Sequence, residues 1–376
     1  MTTGRCPSVD TYPHPPKGST AKYISEHVLN ETLDDIPLDA TIHVLGASLS
    51  AYDVINRMFS PKTGCAFERG ADGVLVFKPG PNNRKLMLIS RSGRMKHMQS
   101  QNPADIKRTH FTTTGLRKLA GQQYANLAQV SKAIQQEAQA HGSDIDWDLI
   151  ANPYKGCTSQ SELDSQALVL LSEAVDDAKG KTNFLVDLFQ DAQVELWDAF
   201  AEQLLDMESE QAYRNQYETA ALSYAAPCPV PTAEKILALM RAERISIIKG
   251  VSDVSLDESG HFYEITHQFG TERARVLINT TGAVDRNVSS ATQPEIIRQL
   301  RNAGLLEAYQ REGLAIKGAD VDMKTFRLPA THNIYLANML LWGPGFFTSS
   351  AHLMATIVER ILEGIYIDNL FTRHKE

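Results

Sequence analysis

The stretch 41–59, TIHVLGASLSAYDVINRMF, carries residue types in a spacing that suits phosphate binding. A short apolar strand feeds through a small-residue bend into a segment whose apolar positions, Ala51, Val54, Ile55, Met58 and Phe59, share one helix face. The amides of a first helical turn have no intrahelical acceptor, and the helix dipole adds positive charge there. Small side chains at such a bend let a pyrophosphate come close. The spacing is a degenerate GxGxxG. Gly46 holds the first position, Ser48 and Ala51 replace the second and third glycines, and Ser50 stands beside the last. The candidate contacts in this turn are Gly46, Ser48, Leu49 and Ser50.

The next apolar run, KLMLIS at 85–90, leads into RSGR. Ser90, Arg91 and Arg94 stand where an NAD site presents an acid to the ribose hydroxyls, and cations there suit a 2′-phosphate, hence NADP(H). The plainer alternative makes the arginines solvated loop charges and the bend an ordinary strand-to-helix connection. His97, in RMKHMQ, is a candidate for proton transfer near neutrality, with a solvent-exposed loop histidine as the alternative. Trp197, Phe200 and Tyr217 read either as a substrate-facing cover or as core aromatics at helical spacing. Asp253, Asp257 and Glu258 are better explained by a hairpin turn than by a metal. No GxSxG elbow, HExxH, P-loop or Cys–His constellation is present, so hydrolase and kinase readings fall away.

These residues need a framework, and the chain's 376 residues, 43% hydrophobic, can supply one with a sizeable core. The net charge of -8 argues against nucleic-acid and membrane-surface partners. Cys6, Cys65, Cys157 and Cys228 lie far apart with no CxxC, which argues against zinc and a disulfide framework and for a reducing compartment. No signal pattern opens the chain, and the longest apolar run, near 334–347, is broken by Asn338, Gly343, Pro344 and Gly345. The expected location is cytoplasmic.

The pattern predicts an α/β fold: a Rossmann-like NAD(P)-binding domain with a large helical insertion, followed by a C-terminal segment. Residues 1–40 read as linker and connector, and 41–102 as the βαβ start, with a hairpin excursion over 66–80. Residues 103–243 read as the helical insertion. Strand signals return at 245–255, 261–269 and 273–279 within a unit spanning 244–290, which closes on TTG and places Gly282 among the cofactor candidates. The segment 291–376 offers a strand over 333–340, a Gly-Pro-Gly turn and an amphipathic helix from about Ser350 to Gly364.

Taken in order, VLGASLSAYDVI, LISRSGR, LWDAF, YRNQYETAALSYAAPCPVPTAEKI, VLINTTG and GPGFFTSSAHLMATIVERIL resemble the FAD/NAD(P)-binding flavoprotein family with two dinucleotide-binding domains. The nearest branch is microbial, distantly similar to flavin-dependent N-hydroxylating monooxygenases, and the resemblance runs from about residue 3 to the end. It implies that Thr3 and Gly4 match the strand end by which such a chain leaves its FAD domain. The N-terminal FAD GxGxxG segment would then be lacking, and the C-terminal segment would be a remnant of the FAD domain. It also implies that Gly343, Thr348, Ser349 and Ser350 lie against a flavin, although Asn338 and Met339 depart from the family's loop.

Three functions follow as expectations. The first is an NADPH- and flavin-dependent, monooxygenase-like oxidoreductase acting on a small molecule. It could be one subunit of a split flavoenzyme, with FAD held jointly with a separate FAD-domain polypeptide or a second copy. The second is a cofactor-free enzyme repurposed from the flavoprotein fold for rearrangement or cyclisation of a small apolar metabolite. The third is a non-catalytic flavoprotein partner, which predicts an exposed apolar patch around 333–347.

Overall fold

The computed structural model describes residues 12–25, 31–121, 123–180, 183–281, 284–345 and 350–373. Five strands make the central sheet: β1 (Lys22–Ile24), β2 (Thr41–Leu45), β3 (Lys85–Ser90), β4 (Ile245–Lys249) and β5 (Val276–Asn279). Their spatial order is β1-β5-β2-β3-β4, and every neighbouring pair is parallel. Parallel strands inside a sheet are covered on both faces, so they read as continuous apolar runs, as TIHVL and KLMLIS do.

Register divides the side chains into two sets. Val276, Ile42, Leu86 and Ile245 form one cross-sheet row, and Ile278, Val44, Leu88 and Ile247 the next. Both rows join the core cluster that also contains residues of α1 (Leu49–Met58), α2 (Gln160–Gly180) and α3 (Val230–Arg241). The opposite face carries Leu45, Ile89, Ile248 and Leu277. It is covered by an antiparallel meander of Asp253–Leu256, Tyr263–His267 and Gly270–Ala274 through Tyr263, Ile265 and Ala274. The run 245–255 therefore splits between two sheets, because Gly250, at φ +76°, turns the chain out of β4.

Between β3 and β4 the described chain is mostly helical, with a core of its own around Phe111, Ala138, Val186 and Leu188. Downstream of β5, a further core gathers Ile297, Phe326, Leu328, Leu336, Leu340 and Leu341 around Trp197. Here the sequence expectation is corrected, because 333–340 is not a strand. It is irregular chain with one bridge, Arg327 to Tyr335, leading into a 3-10 turn at Met339–Trp342. The strands of this region are instead an antiparallel pair, Ala308–Arg311 and Leu314–Ala319. Leu336, Leu340 and Leu341 are fully buried, so they do not form the apolar patch expected around 333–347. The last helix spans Ala351–Arg373 and runs through Gly364 rather than stopping there.

Candidate functional site

The chain leaves β2 for β3 and then β4 on one side, while β5 lies against β2 on the other. The order of strands therefore reverses at the carboxyl ends of β2 and β5, where open α/β sheets leave a crevice for ligands. Gly46 sits at that point. Its amide donates to the Ile89 carbonyl at 2.7 Å, and on the other side the Thr280 amide and Oγ1 donate to the Leu45 carbonyl at 2.8 and 2.7 Å. Gly46 has φ +105°, and a Cβ there would lie 2.7 Å from Thr280 Oγ1. Only glycine fits both conditions. The close approach that this glycine permits is first of all that of Thr280, a residue the sequence pattern did not single out.

Beyond Gly46 the turn opens. Ser48 occupies the N-cap of α1 in extended conformation, but its side chain makes no capping bond. Ser48, Leu49 and Ser50 are exposed, whereas Ala51 is buried beneath them. The Leu49 and Ser50 amides are thus left to solvent or a ligand, while the Ala51 amide donates to the Ser48 carbonyl at 2.9 Å.

The second cluster divides. Ser90 Oγ accepts from the Gly93 amide at 2.9 Å, closing the turn after β3. Arg91 is exposed and makes no ion pair among the described residues. Arg94 donates through Nη2 to the Ala151 carbonyl at 2.6 Å, so its guanidinium is engaged with the helical region. His97 is not a solvent-exposed loop residue: its ring stacks on Tyr224 with centroids 3.8 Å apart and planes 18° from parallel. Burial, reinforced by Arg94 and Lys96, holds its pKa at about 4, so the ring is neutral at physiological pH.

The C-terminal glycine turn is packed against its own chain. A Cβ on Gly343 would run into the Lys317 carbonyl oxygen, and one on Gly345 into the Trp197 ring. Arg214, on the π-helical turn Tyr213–Tyr217, donates to the Trp342 and Gly343 carbonyls at 3.2 and 2.8 Å. Arg214 and Arg286 lie over the Trp342 ring at 4.4 and 4.5 Å. Ser350 Oγ donates to Gln193 Oε1 at 3.0 Å. Gly282, Thr348 and Ser349 lie outside the described residues.

Of the remaining candidates, Trp197 is buried against Phe326, Phe200 is buried beside Arg214, and Tyr217 is exposed. Asp257 accepts from the His261 and Phe262 amides and closes the hairpin turn. Among the described residues, no three His, Cys, Asp or Glu side chains gather as metal ligands, and no helix is long and apolar enough to cross a membrane.

No family model and no curated protein matches the chain. Among solved structures, it is similar to an ornithine N-hydroxylase from Kutzneria sp. 744, described with reduced FAD, NADP+ and L-ornithine. The TM-score is 0.33 and the identity 12%, over 97% of this chain. The chain spans 62% of that protein's length.

Proposed function

We propose that this protein is an NADP(H)-dependent oxidoreductase acting on a small molecule. The observation that carries the reading is the uncapped, exposed first turn of α1 at the point where the strand order reverses. The amides of Leu49 and Ser50 would hold the pyrophosphate, with the Ser48 and Ser50 hydroxyls beside them. Gly46 keeps the backbone low on that side. Arg91, exposed at the end of the adjacent strand, would take the 2′-phosphate. The cofactor, when bound, supplies the hydride, and the chain's task is to fix its phosphates and so orient the nicotinamide. Gly343 takes no part in this reading, because Lys317 and Gly318 fill the side on which a Cβ would stand.

The test is titration of the full chain with NADPH and NADH, repeated on Arg91→Ala. Preference for NADPH of at least about tenfold, lost in the variant, is the expected result. Equal affinity for the two nucleotides with an unchanged variant would overturn the assignment.

A further inference from the structure

A cavity of about 90 Å³ lies between the loop after β3, helix α2, and the segments around Tyr154 and Tyr224. Arg94 and Lys96 line it, and neither makes an ion pair among the described residues. Arg94 donates to the Ala151 carbonyl, and Lys96 Nζ to the Leu222 carbonyl at 2.6 Å.

Other buried charges are treated differently. Glu234 is held by Arg69 and Lys179, and Glu210 by Arg214 and Arg311. Arg84, buried without a carboxylate, donates to three backbone carbonyls, those of Ile36, Pro37 and Met58. Among the described residues Arg94 and Lys96 make one side-chain hydrogen bond each, and burial holds both below their ordinary pKa, Lys96 at about 8. Buried Lys96 and half-buried Arg94 thus bring two cations to one cavity wall with no carboxylate paired to either among the described residues.

The rest of the lining is apolar where it belongs to α2, with Ala167, Leu171 and Ala174 facing the cavity. We propose that this cavity binds a small organic carboxylate, its charged head on Arg94 and Lys96 and its apolar body against Ala167, Leu171 and Ala174. The volume is smaller than the roughly 150 Å³ of an apolar cavity that accepts benzene, which limits the body to a short chain. The apolar face of α2 favours a carboxylic acid over inorganic phosphate, which has no apolar part to place there. This inference stands apart from the nucleotide reading, since it uses neither the α1 turn nor Arg91.

The experiment is calorimetric titration of the full chain with butyrate, its neutral counterpart butyramide, and inorganic phosphate. The butyrate titration is repeated with NADP+ present and on two variants. Lys96→Met removes one cation, and Ala174→Leu fills the cavity while leaving both cations. Saturable butyrate binding is expected, at least tenfold weaker for butyramide and at least tenfold weaker in each variant, with the NADP+ isotherm unchanged. Equal binding of butyrate and butyramide, tighter binding of phosphate, displacement by NADP+, or binding that survives Ala174→Leu would each overturn the proposal. The comparison of ligands on the unaltered chain decides the matter even if a variant fails to fold.

Discussion

Two glycine turns marked by sequence as cofactor contacts have opposite structural fates. At Gly46 the chain passes into a helix whose first residues, Ser48, Leu49 and Ser50, are exposed and uncapped. At Gly343-Pro344-Gly345 the chain is buried, with Lys317, Gly318 and Trp197 filling the space a side chain would take. Glycine reports that something comes close, and only the packed structure says whether that is another part of the fold or a ligand. Even at Gly46, one side of the bend is filled by Thr280, and the open part begins two residues later.

The contrast is sharpened most by Gly345→Ala. Its Cβ would run into the Trp197 ring, in a turn whose Trp342, Gly343 and Gly345 carbonyls all accept from Arg214. A loss of about 3 kcal/mol in urea unfolding is expected from overpacking. Wild-type stability in this variant would mean the turn is looser than described, and the difference between the two turns would shrink. Gly46→Ala combines left-handed strain with the 2.7 Å contact to Thr280 Oγ1, and about 2 kcal/mol is expected by the same measurement.

A third test concerns the strand that carries the open turn. His43 is buried in β2 between Leu277 and Met87, and among the described residues neither ring nitrogen has a hydrogen-bond partner. Burial holds its folded pKa at about 4, below its unfolded value near 6.5. Its ionisation therefore costs nothing above pH 6.5. The cost grows as pH falls towards 4 and levels off below that, because the unfolded chain binds the proton first. His43→Leu is expected to stabilise the protein by about 1 kcal/mol at pH 8, through removal of unsatisfied buried nitrogens, and by more at pH 5. Denaturant melts at the two values measure this, and a gain that shrinks at pH 5 would contradict it.

The sheet was legible in sequence because β2 and β3 are interior parallel strands, whose continuous apolar runs and bounding turns leave little choice of register. NIYLANML at 333–340 offered the same signal and misled. Its leucines are buried as deeply as those of β3, but in irregular chain and a 3-10 turn, and periodicity cannot separate these cases in a short run. The arginine pair was half legible. Arg91 and Arg94 both follow a strand end, yet Tyr154, Tyr224 and the Ala151 carbonyl, distant in sequence, draw Arg94 into the helical layer. Lys96 was passed over because a lysine beside a histidine in a polar stretch reads as surface, and its burial depends on Leu222, 126 positions away.

The most direct measurement is the thermal response of Ser50→Glu to NADP+, compared with the unaltered chain. A carboxylate in the exposed first turn of α1 favours the helix dipole by about 0.5 kcal/mol and repels a pyrophosphate from the same amides. The account predicts that the variant melts slightly higher without ligand and does not respond to NADP+, while the unaltered chain is stabilised by it. An unaltered chain that shows no NADP+ shift, or a variant that shifts as much as the unaltered chain, would contradict the claim that this open turn holds a dinucleotide.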